Sequence, residues 1–308
     1  MTIRLTIRTA LWRSHVARIA NDVNGLVPVV KGNGYGFGRR WLADFAAEFA
    51  DTIAVGTVHE LNDVPDGIRA VVLTPTLTVP TALATRPSTI LTVGAPEHIA
   101  ALQGWTGSVV VKLRSSMRRY GSDPALIDQA RDAGLDVVGV SVHPPLDAFA
   151  DTLADVLTVL DDIDPELPAW VSHLGATTYA ELPNDREYRL RLGTALWHGN
   201  KSTLHLEANV IARQSATSGQ PVGYRHVPTP DDGTIVMIGA GSANGVSPLP
   251  DGRSPFHFAQ ERLALIEPPH MHTSMAFVPS GDPVPEIGGW VDLQRPLTMT
   301  TVDEFDWR

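Results

Sequence analysis

The sequence predicts an α/β protein, a TIM-type (β/α)8 barrel followed by a smaller, mostly-β C-terminal domain. Three observations predict it. Over residues 1–200, short β-branched runs alternate with amphipathic stretches. Many of these runs are apolar on both faces, as strands of a buried parallel sheet are. Beyond Gly199-Asn200, strands follow one another across Gly-, Pro- and Asp-rich turns with no long helix between them. The expected division is a barrel at 1–200 and a β domain at 201–308. A doubly wound open sheet would give the same alternation, because counting strands does not prove closure.

The strands follow in order: Val27–Lys31, Ile53–Gly56, Ala70–Thr74, Ile90–Val93, Ser108–Leu113, Val137–His143, Ala169–His173 and Arg189–Ala195. Between them, Leu11–Val23, Arg40–Phe49, Pro96–Gln103, Pro124–Ala133 and Leu146–Leu160 have helical patterning. Asp123 before Pro124 makes an N-cap with proline at the first helical position. In the second domain the strands are Leu204–Ala212, Thr234–Ile238, Ser274–Val278 and Trp290–Asp292. The stretch 244–255 reads as loop and 304–308 as a frayed tail.

Composition narrows the function. A net charge of -10 without a long basic run argues against nucleic acid or an anionic membrane as partner. With no cysteine, thiolate catalysis, disulfides and cysteine-held metals are excluded. The N-terminus has no signal-peptide core and no apolar run reaches about 20 residues, so the expected compartment is cytoplasmic. His205-Leu206-Glu207 and His270-Met271-His272 are poorly spaced for a shared metal, and none is expected.

The chemistry concentrates in Val29-Val30-Lys31-Gly32-Asn33-Gly34-Tyr35-Gly36-Phe37-Gly38. A lysine ends the first apolar run and glycines follow at every second position. At the C-terminal rim of a barrel the amine would be partly desolvated, able to lose its proton and attack an aldehyde. The glycines allow close backbone approach to a ligand. A snorkelling lysine before a flexible turn is the equally weighted plain alternative. The run lacks the Lys-Ser/Thr ending of a P-loop and the spacing of a dinucleotide fingerprint.

This stretch resembles the VVKANAYGHG motif of alanine racemases, the fold-type III enzymes that use pyridoxal 5′-phosphate (PLP). The resemblance continues in order. Lys112-Leu113-Arg114-Ser115-Ser116-Met117-Arg118-Arg119-Tyr120-Gly121 is similar to the family's KVDTGMGRLG. His143 falls at the family's barrel histidine, and His173–Thr178 at HxANSA. Arg191–Trp197 is similar to RPGIALY, Ile238–Gly245 to IGYADG with two residues inserted, and Thr273–Ala276 to VSMD.

The resemblance implies a Schiff base between PLP and Lys31, which would also act as an acid/base. Tyr35, Thr177 and the backbone amides of Gly193 and Thr194 would hold the cofactor phosphate. Arg191 would face the pyridine nitrogen, and a guanidinium there leaves the ring unprotonated and a weaker electron sink. Arg119 would contact the phenolic oxygen or a substrate carboxylate, and His143 would pack near the ring. Lys112 matches a lysine carbamylated in some members. A homodimer acting on a small amino acid is also implied.

The family's second base, a tyrosine in the IGYADG segment, is absent. Ser242 takes its place, with His272 or a water held by Ser242 as the candidate replacement. Asn244, Ala276 and Arg114 (or Ser115 if the register shifts) replace motif acids, and Phe37 replaces a histidine. The cofactor side is thus better kept than the substrate side. The expected function is a racemase-type isomerase in amino-acid metabolism with slow or absent exchange of D- and L-alanine. The alternatives are one-base PLP chemistry and a non-catalytic PLP-homeostasis protein.

Overall fold

The structure, a computed structural model, describes residues 2–78, 86, 88–146 and 149–308. It forms two compact units, one of Ser14–Gly199 and one of Met1–Arg13 with Asn200–Arg308. The first strand, β1 (Ile3–Ile7), belongs to the second of these.

The strands that follow are β2 (Leu26–Pro28), β3 (Thr52–Val55), β4 (Arg69–Val72), β5 (Thr89–Val93), β6 (Ser108–Lys112), β7 (Asp136–Ser141), β8 (Ala169–Ser172) and β9 (Tyr188–Leu192). These eight form one parallel sheet in the order β2-β9-β8-β7-β6-β5-β4-β3. At the remaining seam, Val29 bridges Ala54, and the Val30 N–H donates to the Ala54 carbonyl at 2.8 Å. The sheet therefore curls into a barrel, and the open-sheet alternative is set aside. Every residue of β3 and β5 is buried, which explains why their sequences do not alternate.

Around these strands run α1 (Thr9–Asp22), α2 (Arg39–Ala46), α3 (Pro96–Ala101), α4 (Ala125–Asp132), α5 (Thr152–Leu160), α6 (Ala176–Tyr179) and α7 (Thr194–His198). Three expectations need correction. The last barrel strand stops at Leu192, because a helix begins at Thr194. Asp123 does not cap α4; Pro124 precedes the helix, and the Asp123 carboxylate instead accepts from Arg114 at 3.0 Å. The Leu146–Leu160 helix begins only at Thr152, where the Asp151 side chain accepts from the Ala154 N–H at 2.9 Å; residues 147 and 148 lie outside the described set.

In the second unit the long strand β10 (Leu204–Ala216) is the spine. After it come β11 (Pro221–Val222), β12 (Val227–Pro228), β13 (Gly233–Ile238), β14 (Phe256–Phe258), β15 (Glu261–Arg262), β16 (Ala264–Leu265), β17 (Ser274–Pro279), β18 (Trp290–Leu293) and β19 (Glu304–Trp307). The main sheet runs β15-β14-β18-β10-β13-β17-β16, with β1 added antiparallel to β10. The expected frayed tail is instead β19, which pairs in parallel with β1, and Trp307 meets the fully buried Trp12 edge-on at 5.9 Å. Pairing with β10 and β19 is what places residues 1–13 in this unit. Among the described residues, no helix is long and apolar enough to cross a membrane.

Candidate active site

The sheet register brings the chemistry to one end of the barrel. Val27 pairs with Arg191, and Ser172 with Arg191, so the residues following β2, β8 and β9 emerge on the same rim. A cavity of about 350 Å3 opens there. It is lined by Lys31, Lys112, Arg119, Tyr120, His143 and Arg191, with Gly56, Leu73 and Thr74 completing the wall. Two arginines, two lysines and no carboxylate are among these lining residues.

Lys31 is held from below and from the side. Glu60 accepts from the Gly32 N–H at 3.1 Å and from the Gly56 N–H at 2.6 Å, tying the end of β2 to the end of β3. A side chain on Gly56 would come within 3.2 Å of the Lys31 Cβ, so glycine there leaves room for the lysine stem. Water reaches Lys31 through the cavity mouth, yet the walls strip part of its hydration. That burial, with the Arg119 and Arg191 charges, lowers its pKa, while Glu60 acts in the opposite direction. The amine is thus shifted toward its nucleophilic form.

Lys112 ends β6, and burial together with Arg191 and Arg119 brings its pKa down to about 6. Arg191 is buried on β9. It donates to the Val142 carbonyl at 2.8 Å, to Ser172 Oγ at 3.3 Å and to the Val171 carbonyl at 3.4 Å. Burial lowers its pKa to about 10, so it stays charged at neutral pH. Among the described residues no carboxylate pairs with it. A buried guanidinium without a counter-ion is costly unless a ligand supplies acceptors.

His143 Nδ1 lies 2.5 Å from Ser172 Oγ, whose lone pair accepts from Arg191. Ser172 Oγ thus links the Arg191 guanidinium to the His143 ring and fixes the ring's orientation. Burial, then the Arg191 and Lys112 charges, push His143 down to about 2, so it is neutral. Its ring packs 4.3 Å from that of His173, which lies outside the cavity and contacts the Pro144 carbonyl through Nδ1 at 2.9 Å. Buried Lys112 and exposed Arg119 both line the cavity, and exposed Arg114 pairs with Asp123.

Beside the cavity, Tyr35 is buried with a left-handed backbone, φ 55°. Burial and Glu60 raise its phenol to about 12, so it is a donor and not a phenolate. A methyl group on Gly193 would lie 1.9 Å from the Tyr35 hydroxyl, so only glycine lets the two approach. His198 braces the loop through the Tyr35 carbonyl at 2.7 Å. Gly193 precedes α7, whose first amides have no partner inside the helix. Thr177 stands exposed in α6, after β8. Loops after the seventh and eighth strands of such barrels commonly bind phosphate, and β8 and β9 hold those places.

Ser242 belongs to the other unit. It is exposed, and its N–H donates to the His270 carbonyl at 2.8 Å, with Ala243 bonded to the Met271 carbonyl beside it. His272 is exposed on that facing segment. His205 sits 3.0 Å from Asp292 and 3.7 Å from Glu207, whose other oxygen is held by Arg4. The sequence reading missed Tyr120, Glu60 and Ser172. Each has at least one partner far away in the chain, Gly32 for Glu60, Leu73 for Tyr120 and His143 for Ser172, and Tyr120 alone carried a local sign, an aromatic residue inside a run of arginines.

The cavity fits PLP on the chemistry of its walls. Its volume is that of a small-molecule site. Its amine is shifted toward neutrality, and its uncompensated cations suit an anionic ring.

A family model described as "Alanine racemase, N-terminal domain" matches residues 7–201. Several solved alanine racemases share the fold. One from Bartonella henselae, with covalently bound pyridoxal phosphate, is 17% identical, with a TM-score of 0.75 and all of both chains covered. Another, from Clostridium difficile 630, is also 17% identical, at 0.76, with 99% of this chain and 96% of the other covered. A third, from E. faecalis, is 21% identical, at 0.72, with 100% and 98% covered. No curated protein sequence matches the chain.

Proposed function

This chain belongs to the alanine racemase family, and we propose on that footing that it is a PLP-dependent isomerase of a small amino acid, with Lys31 as the residue that carries the cofactor. The observation that supports this most directly is the placement of Lys31 at the rim of the barrel, in a cavity walled by cations and free of carboxylates.

When bound, PLP withdraws electrons from the amino acid and acidifies its Cα–H. The chain's own residues do the rest. Lys31 Nζ would hold the group covalently and, when released, take or return the Cα proton on its own face. Arg191 would present a charged N–H to the ring nitrogen and so leave that nitrogen unprotonated, which favours brief charge development at Cα and return of the proton. Tyr35, Thr177 and the amides of Gly193 and Thr194 would take the phosphate without a charged side chain. Arg119 would hold the phenolic oxygen or the substrate carboxylate. His143, neutral and fixed by Ser172, would pack beside the ring. Ser242, on its exposed loop, would meet the substrate of a second copy of the chain in a homodimer.

Lys31→Ala tests the assignment. The PLP-loaded wild-type protein should absorb in the visible and the variant should not, at equal folded content by circular dichroism. Undiminished visible absorbance in Lys31→Ala would remove this lysine from the mechanism.

A further inference from the structure

A lysine that condenses with an aldehyde must bring one nitrogen to one point at the end of a flexible four-carbon stem. What fixes the root of that stem therefore matters as much as what surrounds its tip. Resting on the reading above, we propose that Glu60 and Arg39 are the positioning residues of Lys31: together they grip the backbone N–H and C=O of Gly32 and so fix where the lysine stem leaves the strand.

The grip falls where the sheet ladder ends. At the seam between β2 and β3 the Val30 N–H donates to the Ala54 carbonyl at 2.8 Å. Two residues further along each strand end, a side chain takes over. Glu60 Oε1 accepts from the Gly32 N–H at 3.1 Å, and its Oε2 accepts from the Gly56 N–H at 2.6 Å. The Gly32 carbonyl in turn accepts from Arg39 Nη1 at 2.6 Å. Arg39 is the first residue of α2, and Asp63 aims it. Asp63 Oδ2 accepts from Arg39 Nε at 2.6 Å and lies 2.5 Å from Nη2. Glu60 and Asp63 stand three residues apart in the 3-10 helix Val58–Asp63, which sets such residues on one side. One short turn thus presents both acids to the glycine loop.

Two further contacts join this grip to the lysine. A side chain on Gly56 would meet Lys31 Cβ at 3.2 Å and Glu60 Oε2 at 3.0 Å, so the carboxylate and the lysine root sit against the same glycine. A side chain on Gly34, whose φ is 65°, would lie 2.4 Å from the Arg39 amide nitrogen. Glycine there lets the loop fold back until Arg39 reaches Gly32. A root held on both sides presents its amine with little reorganisation.

The test mixes the PLP-free full chain with PLP and follows the growth of visible absorbance in wild type, Glu60→Gln and Arg39→Met, at equal far-ultraviolet circular dichroism. The absorbance reports attack of the neutral Lys31 nitrogen on the aldehyde carbon, which forms the C=N bond and releases one water. The limiting rate at saturating PLP should fall by about 10- to 100-fold in both variants, as expected when a reacting atom is displaced by up to about 1 Å. The half-saturating PLP concentration should hold, because Tyr35, Thr177 and the Gly193 and Thr194 amides would grip the phosphate separately. Burial and the Arg119 and Arg191 charges favour the neutral amine, and Glu60 opposes them. Removing the Glu60 charge alone would speed the attack, so slowing in Glu60→Gln reports geometry. A second readout is the circular dichroism of the visible band per unit absorbance. PLP is achiral, so this signal depends on a fixed orientation and should fall in both variants. Should Glu60→Gln not fold, Arg39→Met, at a half-buried side chain, carries the same test. A limiting rate and visible circular dichroism equal to wild type in either folded variant, or a loss confined to the half-saturating concentration, overturns the proposal. Failure of the parent reading has a separate signature: a wild type that gains no visible absorbance sinks that reading and this one with it.

Discussion

Lys112 is a buried amine beside Arg191 and Arg119, and its position makes the electrostatics of the cavity measurable as stability. Its pKa is about 6 in the fold against an ordinary 10.5, so between those values the unfolded chain binds the extra proton. Stability therefore rises with pH across that window, and below about 6 the full cost of charging the buried amine is present. Lys112→Met should flatten that rise and, at neutral pH, stabilise the protein by about 1–4 kcal/mol, because folding no longer has to strip a proton from a buried amine; urea unfolding at several pH values measures both. Gly193 gives a second test. Gly193→Ala drives a methyl into the Tyr35 hydroxyl, and the displaced phenol should cost about 1–3 kcal/mol of stability. PLP affinity, followed by titrating the visible band, should weaken as well, whereas a neutral result in both would separate Tyr35 and Gly193 from the phosphate. Lys31 was legible in the sequence because a strand-ending lysine before alternating glycines is locally unusual. Glu60 and Tyr120 were not, since what marks them is bonding to Gly32 and Leu73 respectively, which only the folded barrel brings near.

Among the elements, β19 departs most from the sequence reading. Its pairing with β1 joins residues 300 positions apart, and its four-residue stretch carries no turn signal or apolar run to announce a strand. Trp307 lies on Trp12, and Arg308 donates its backbone N–H to the Ile7 carbonyl at 2.9 Å. Trp307→Ala should cost about 1 kcal/mol, the worth of a partly exposed aromatic side chain packed edge-on against Trp12, and chemical denaturation would show it; loss of less than a few tenths would return 304–308 to the status of a tail. The eight barrel strands were readable for the opposite reason. Buried on both faces, they leave runs such as Ser108–Leu113 that only a covered sheet tolerates. Their ends were less readable, because the turn from β9 into α7 uses residues that are as apolar as the strand.

Taken whole, the molecule sets the Lys31 amine at the C-terminal rim of a parallel barrel, where the register of β2, β8 and β9 gathers the other lining residues. The chain has three lysines, Lys31, Lys112 and Lys201, so the site of cofactor attachment can be decided without ambiguity. The most direct measurement is borohydride reduction of the PLP-loaded protein followed by peptide mapping. The phosphopyridoxyl mass should fall on Lys31, at close to one per chain, and not on Lys112 or Lys201. Label on either of the other lysines, or none above background, would contradict the assignment of Lys31 and with it the function proposed for the cavity.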